Sequence, residues 1–267
     1  MTNAGHAVML FSDAVRRSFT SLIASAIFLL VWEVACRGFN IRPILLPPPS
    51  LVIQELAESP FWFAQQASYT LGVTLAGFGV ATVFGVLFAV AITEWKVLDR
   101  LLFPLFVALN SVPKVALAPL FIIWFGTGAE PKIAIAFLIA VFAVVIDMVL
   151  GLRSVPPDTI DLARTLRGSR LKVLLRIKIF CAMPHLFAGM KVAMSLALVG
   201  AIVGEFVSSQ RGLGYVILSA QGMFDTPRVF AAISILAVLG VILVGVVNIA
   251  ERLALPWHYS VGEHMDQ

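Results

Sequence analysis

Long uncharged apolar stretches recur along the chain, separated by short clusters of Lys, Arg and Pro. A helix needs about 20 mostly apolar residues to cross the roughly 30 Å hydrocarbon layer, and in lipid its backbone polar groups must be paired within the segment. By that measure the pattern predicts spans at FTSLIASAIFLLVWEVAC (19–36), TLGVTLAGFGVATVFGVLFAVAI (70–92), IAIAFLIAVFAVVIDMVL (133–150), FAGMKVAMSLALVGAIVG (187–204) and FAAISILAVLGVILVGVVNIA (230–250). Between Arg100 and Lys132 the apolar run is broken by Pro104, Pro113 and Pro119, each of which removes a helix donor. That stretch reads as one bent span followed by irregular backbone. The expectation is an all-α integral membrane protein of about six transmembrane helices, forming a single domain over 1–267 with an N-terminal anchor helix at 18–36. The Pro-rich ILLPPPS (44–50) reads as a rigid external connector.

Composition agrees with that pattern. The chain is 60% hydrophobic and 13% charged, with a mean hydropathy of +0.98, against about 45–50% and about 25% in soluble domains. The net charge of +4 does not indicate nucleic acid, because the basic residues gather beside apolar spans and are not interleaved with base-stacking aromatics. Membrane lipid is the expected surroundings. Lys and Arg near span ends favour the cytoplasmic side; Arg16, Arg17, Lys96, Arg100, Arg153, the basic residues of 164–178 and Arg252 fall on one side. Both termini are thus expected in the cytoplasm of a multi-pass protein. Cys36 and Cys181 stand singly, with no metal or redox spacing.

One internal segment departs from the apolar pattern. PPDTIDLARTLRGSRLKVLLRIK (156–178) carries Asp158, Asp161, Arg164, Arg167, Arg170, Lys172, Arg176 and Lys178. Pro157 suits a first helical turn, with Asp158 and Asp161 toward the positive helix end and Arg164 and Arg167 toward the negative one. A short helix over about 157–166 follows. Ile160, Ala163 and Leu166 recur on one face, Gly168 can take the left-handed conformation that ends a helix, and Ser169 caps a second stretch. A lipid-lying topological loop is the plain alternative. The acidic first turn, which anionic headgroups would repel, and the defined turn make a protein partner at least as good a reading.

DLARTLRGS (161–169), followed by AMPHLFAGMKVAMSLALVGAIVGEF (182–206), resembles the cytoplasmic signature of permease subunits of binding-protein-dependent ABC importers. LPPPSLVIQEL (46–56), VALAPLFIIWFGTGAEPKI (115–133) and GLGYVILSAQGMFDTPRVFAAI (212–233) are similar to the nitrate, sulfonate and taurine branch, with the family core at about 62–250. Here Leu162 replaces an Ala, Arg167 holds the signature's Gly position with Gly168 one place later, and Phe180 stands where this branch often has Pro. The resemblance implies a type I importer permease (MetI-like) fold in the bacterial inner membrane. It implies two copies of the permease as a homodimer, two cytoplasmic ATPase subunits that bind ATP and Mg, and a periplasmic or extracellular solute-binding protein. Asp158, Asp161, Leu162, Ala163, Arg164, Thr165, Leu166, Arg167 and Gly168 would form the coupling helix seated in the ATPase. The implied function is ATP-driven uptake, by alternating access, of a small anion such as a sulfonate, taurine or nitrate; a pyrimidine-type thiamine precursor is the alternative substrate.

The chain has no G-x-x-x-x-G-K-[ST] phosphate loop and no nucleophile or acid–base constellation, so it reads as a transport subunit, not an enzyme, with no cofactor of its own. Ionisable residues inside spans are functional candidates. Asp147 is expected either in a structural pairing near Gly151 and Arg153 or as a gate. Lys191 would snorkel to headgroups or attract an anion, and Glu205 would pack with Arg211 or meet the binding protein. Glu33 would snorkel to water. Pro113 and Pro119 complete the possible gate or pathway set. A proton-coupled secondary transporter using Asp147 and Glu205 is the rival reading; it predicts inverted repeats, which the sequence does not display.

Overall fold

The structure, a computed structural model, describes residues 23–166 and 168–256. The regular elements among them are helical: α1 (23–38), α2 (Pro49–Glu58), α3 (Pro60–Glu94), α4 (Lys96–Asn110), a 3-10 turn (Lys114–Leu117), α5 (Ala118–Phe125), α6 (Glu130–Arg153), α7 (Pro157–Thr165), α8 (Arg170–Val173), α9 (Ile179–Ser208), α10 (Leu213–Gly222) and α11 (Thr226–Ala254). Among the described residues four helices are long and apolar enough to cross a membrane: α3, α6, α11 and the run Arg170–Ser208, which joins α8 to α9 through a π turn at Leu174–Lys178. The stretch Lys96–Phe125 adds a fifth span if its two halves, bent by 89°, are counted together. Residues 18–22 of the expected anchor helix, and both chain termini, lie outside the described residues.

The proline-rich region differs from expectation in detail. Pro104 lies inside α4 without breaking it, the break falls at Pro113, and Pro119 occupies the first turn of α5, where a missing N–H is no loss. Likewise Pro49 does not extend a connector but starts α2.

The described residues divide into two compact units, one comprising those up to Pro60 with Ser219–Ala231, the other Phe61–Leu218 with those from Ala232 onward. In the first, Glu33 ties α1 to the start of α2. Its carboxylate accepts from the Ser50 backbone N–H (3.0 Å), the Ser50 hydroxyl (2.8 Å) and Arg37 Nε (2.6 Å). Glu33 therefore caps a helix where the sequence suggested a snorkelling side chain. Arg228 pairs with Glu55 at 2.7 Å in the same unit.

The larger unit is built around α6, whose Ala136, Ala140, Val144, Val145, Met148 and Leu152 are buried. A Cβ on Gly77 of α3 would come 2.5 Å from Ala136 Cβ, and one on Gly200 of α9 would come 2.6 Å from Ala136 Cα. Small residues on α3 and α9 thus let both helices close on α6, the packing that holds helices together where lipid removes any hydrophobic drive between them.

Candidate functional site

Helix α7 leaves the bundle at one end of α6 and returns into α8. It forms where the sequence places it, with Pro157 as its first residue and Asp158 in its first turn. Thr165 Oγ1 donates to the Asp161 carbonyl at 2.9 Å. The Gly168 N–H donates to the Ala163 carbonyl at 3.0 Å, closing the last turn. A Cβ on Gly168 would lie 2.7 Å from that carbonyl oxygen, so space, rather than the expected left-handed φ, reserves this position for glycine. Ser169 then caps α8, accepting from the Lys172 N–H at 3.4 Å. Arg167 lies outside the described residues, as does the side chain of Arg164.

The exposed face of α7 is not the one that periodicity suggested. Ile160 and Ala163 are half-buried, whereas Leu162 is 62% exposed and Leu166, expected beside Ala163, is 76% exposed. Leu162 and Leu166 are spaced four apart, so they share one face of the helix and project from it as an apolar edge. Rigid joints hold its base. Arg153, ending α6, pairs with Asp99 of α4, and Lys178 pairs with Glu94 at the end of α3 at 2.6 Å. A Cβ on Gly151 would meet Ala182 Cα at 2.9 Å, so α6 and α9 are in near backbone contact just where α7 departs.

Near the opposite end of α9, Glu205 is fully buried. Its carboxylate accepts from Thr70 Oγ1 at 2.8 Å and from the Gly214 N–H at 2.7 Å; Leu213 N–H donates to Thr70 Oγ1 at 2.8 Å, and Gly212 N–H to Gln66 Oε1 at 2.7 Å. Three consecutive amide groups that open α10 are therefore satisfied by side chains of α3 and α9, which resolves the unpaired donors of a helix start. Gly212 has φ +100°, and a Cβ there would lie 2.2 Å from Glu205 Oε1. Within the chain Glu205 is bonded to Thr70 and the Gly214 amide and not to Arg211. It braces the loop from within.

The remaining candidates are dispersed. Lys191 does not reach for headgroups but pairs with the buried Glu251 of α11 at 2.5 Å. Asp147, half-buried on α6, packs on Gly189 of α9 within electrostatic reach of His185, while Arg153 is engaged by Asp99. Pro113 and Pro119 flank the break between α4 and α5. Gln66, Thr70, Glu94, Glu251 and Lys114 escaped the sequence reading. Gln66 and Thr70 carry a faint signal, a polar pair one helical turn apart at the edge of an otherwise apolar run; the ion-pair partners carry none. Among the described residues no group of His, Cys, Asp or Glu could hold a metal ion.

Comparison with known proteins agrees with this architecture. Residues 81–254 match the family "binding-protein-dependent transport system inner membrane component". The chain is 31% identical to the formylaminopyrimidine transport permease protein ThiX of Halalkalibacterium halodurans, over 91% of this chain and 98% of that one. It is 29% identical to the taurine transport system permease protein TauC of Escherichia coli, over 92% of each. A chain of the MetNI methionine ABC transporter, solved in inward facing conformations, superimposes with a TM-score of 0.61 at 18% identity, covering 73% of this chain and 96% of that one. That likeness bears on fold, which is the MetI-like fold expected from sequence. With helices able to cross a membrane several times and a family match over most of its length, the chain belongs to the inner-membrane permease components of binding-protein-dependent ABC importers.

Proposed function

We propose that the chain works as a homodimer with two cytoplasmic ATPase subunits and an external solute-binding protein, with α7 as the helix that couples ATP hydrolysis to transport. The observation that carries this is the apolar edge of α7, Leu162 and Leu166, held out from a charged segment whose base is fixed by the Asp99–Arg153 and Glu94–Lys178 pairs. Exposed leucines on a short helix gain from burial in a partner groove, about 1.5–3 kcal/mol each when fully covered. A helix braced to α3, α4, α6 and α9 transmits displacement, whereas a flexible loop would absorb it. In this reading the α7 end, and with it both termini, faces the cytoplasm, ATP and Mg are bound by the partner, and closing of the ATPase pair draws the α7 helices together and opens the pathway outward.

For substrate, a small anion such as a sulfonate, taurine or nitrate is the favoured class, supported by the likeness to the taurine permease protein. A pyrimidine-type thiamine precursor is the second reading, supported by the likeness to the formylaminopyrimidine permease protein. The test is co-expression with the ATPase and reconstitution with the binding protein. The complex should hydrolyse ATP faster when loaded binding protein is present, and the chain alone should hydrolyse none. Hydrolysis by the isolated chain would refute the assignment.

A further inference from the structure

Lys114 stands apart from the other basic side chains of the larger unit that lie within helical spans. Lys132 is buried with its ammonium on the Thr127 and Gly128 carbonyls, within electrostatic reach of Glu205 and Glu130. Lys178 and Lys191 are paired with Glu94 and Glu251. The Lys114 ammonium instead has neutral partners: the Asn110 carbonyl at 2.8 Å, the Asn110 Oδ1 at 2.9 Å, and the ring of Phe142 with its centroid 4.4 Å away. Phe142 lies halfway along the 24-residue α6, so this cation sits near the middle of the span.

Two costs meet at that point. A charge at mid-membrane depth is unfavourable by about 2.5–3.5 kcal/mol or more unless it is compensated, and a ring face with two carbonyl-type acceptors leaves its unit charge in place. The backbone around it, Ser111–Pro113 between α4 and the 3-10 turn, is also non-helical and its side chains are exposed on the single chain. Irregular backbone at membrane depth is tolerated against protein or water but not against lipid. This face is therefore turned inward in the assembled importer. The Ser111 and Val112 amides are bonded to the Ala108 and Leu109 carbonyls, so it is the exposed, irregular segment and the uncompensated ammonium that need water: a hydrated pathway accounts for both and lets a mobile anion balance the charge.

We propose that Lys114, steadied by Asn110 and Phe142, is the counter-charge of the translocation pathway, and that the solute crossing there carries a small oxoanion group such as a sulfonate, carboxylate or nitrate. The proposal deepens the importer assignment and rests on it. Pro113, which the sequence offered both as a helix breaker and as a possible pathway residue, then has the role of opening the backbone that brings Lys114 to the lumen.

The test uses the complex with its ATPase, with Cys36 and Cys181 replaced by serine and Ser111→Cys as reporter. Two thiol reagents of similar size are compared, a sulfonate-bearing and a trimethylammonium-bearing methanethiosulfonate, with and without ATP. With Lys114 present, the anionic reagent should react faster by on the order of tenfold or more. Lys114→Gln should abolish that preference, and Lys114→Arg should retain it, which separates loss of charge from misfolding. If Ser111→Cys reacts with neither reagent in any state, or if the preference survives Lys114→Gln, the proposal is overturned. The importer assignment has its own readout: absence of ATPase stimulation by binding protein in the native complex would sink that reading irrespective of the thiol chemistry.

Discussion

At one end of α9 the chain leaves as the loop before α10, and at the other it arrives from α7. Both segments are polar and both contain a glycine that no other residue could replace, yet the structure treats them oppositely. Before α10, Glu205, Thr70 and Gln66 are buried and bonded to the amides of Gly212, Leu213 and Gly214, so the polar residues are internal and their role is complete within the chain. In α7 Asp158 and Asp161 are exposed, and Leu162 and Leu166 project with nothing over them among the described residues. A buried, fully bonded polar cluster specifies conformation, while an exposed apolar edge on a rigid mount awaits a partner. The comparison separates a stability site from the proposed interface in a protein whose ionisable residues inside spans are functional candidates in the sequence.

The contrast can be broken most severely at Gly212. Gly212→Val forces a β-branched residue to φ +100° and drives its Cβ into Glu205; with the loss of buried hydrogen bonds the cost should be about 3–5 kcal/mol, seen as little or no folded protein in detergent. Next comes Glu205→Leu, which strands the Gly214 amide and the Thr70 hydroxyl and should cost about 2–3 kcal/mol. Glu205→Gln keeps an acceptor and should cost about 1 kcal/mol; thermal unfolding in detergent would order the three. If Glu205→Leu unfolds with the native profile but no longer responds to binding protein, the brace is an interface after all. The smallest effect is expected for Lys172→Gln, which removes an exposed charge from α8 while leaving the Ser169 cap to the backbone amide intact. ATPase co-purification and stability should both stay near the native level.

Much of this was legible in the sequence, for a physical reason. Span length and apolarity are set by the hydrocarbon layer, so α3, α6, α9 and α11 declare themselves by composition, and the Pro157 start and Ser169 cap of the charged segment follow from local hydrogen-bond chemistry. What periodicity could not tell was which side of α7 faces the bundle. Ala163 is turned partly inward and Leu162 and Leu166 outward, and which side of a helix is covered is decided by tertiary packing that local spacing does not carry. The same limit hid the role of Glu205. Its partner Thr70 on α3 lies 135 residues away, and Gln66, which accepts from the Gly212 amide of the same loop, lies 146 residues from that glycine. Lys191 likewise resembles a snorkelling side chain until Glu251 of α11 is brought beside it. Pro104 looked like a breaker and is accommodated within α4, whereas Pro113 coincides with the real bend.

The central claim is that the exposed edge of α7 seats in the ATPase while contributing nothing to the fold of the chain itself. It is tested most directly by co-purifying the ATPase with the double variant Leu162→Asp, Leu166→Asp and, in parallel, measuring thermal unfolding of the variant chain. Two charges that must be desolvated in the groove should cost several kcal/mol of association, so the ATPase should be lost by at least about 100-fold at unchanged unfolding temperature; Ala163→Asp, at a half-buried position, should weaken both. Retention of the ATPase at native levels by the double variant would contradict the account.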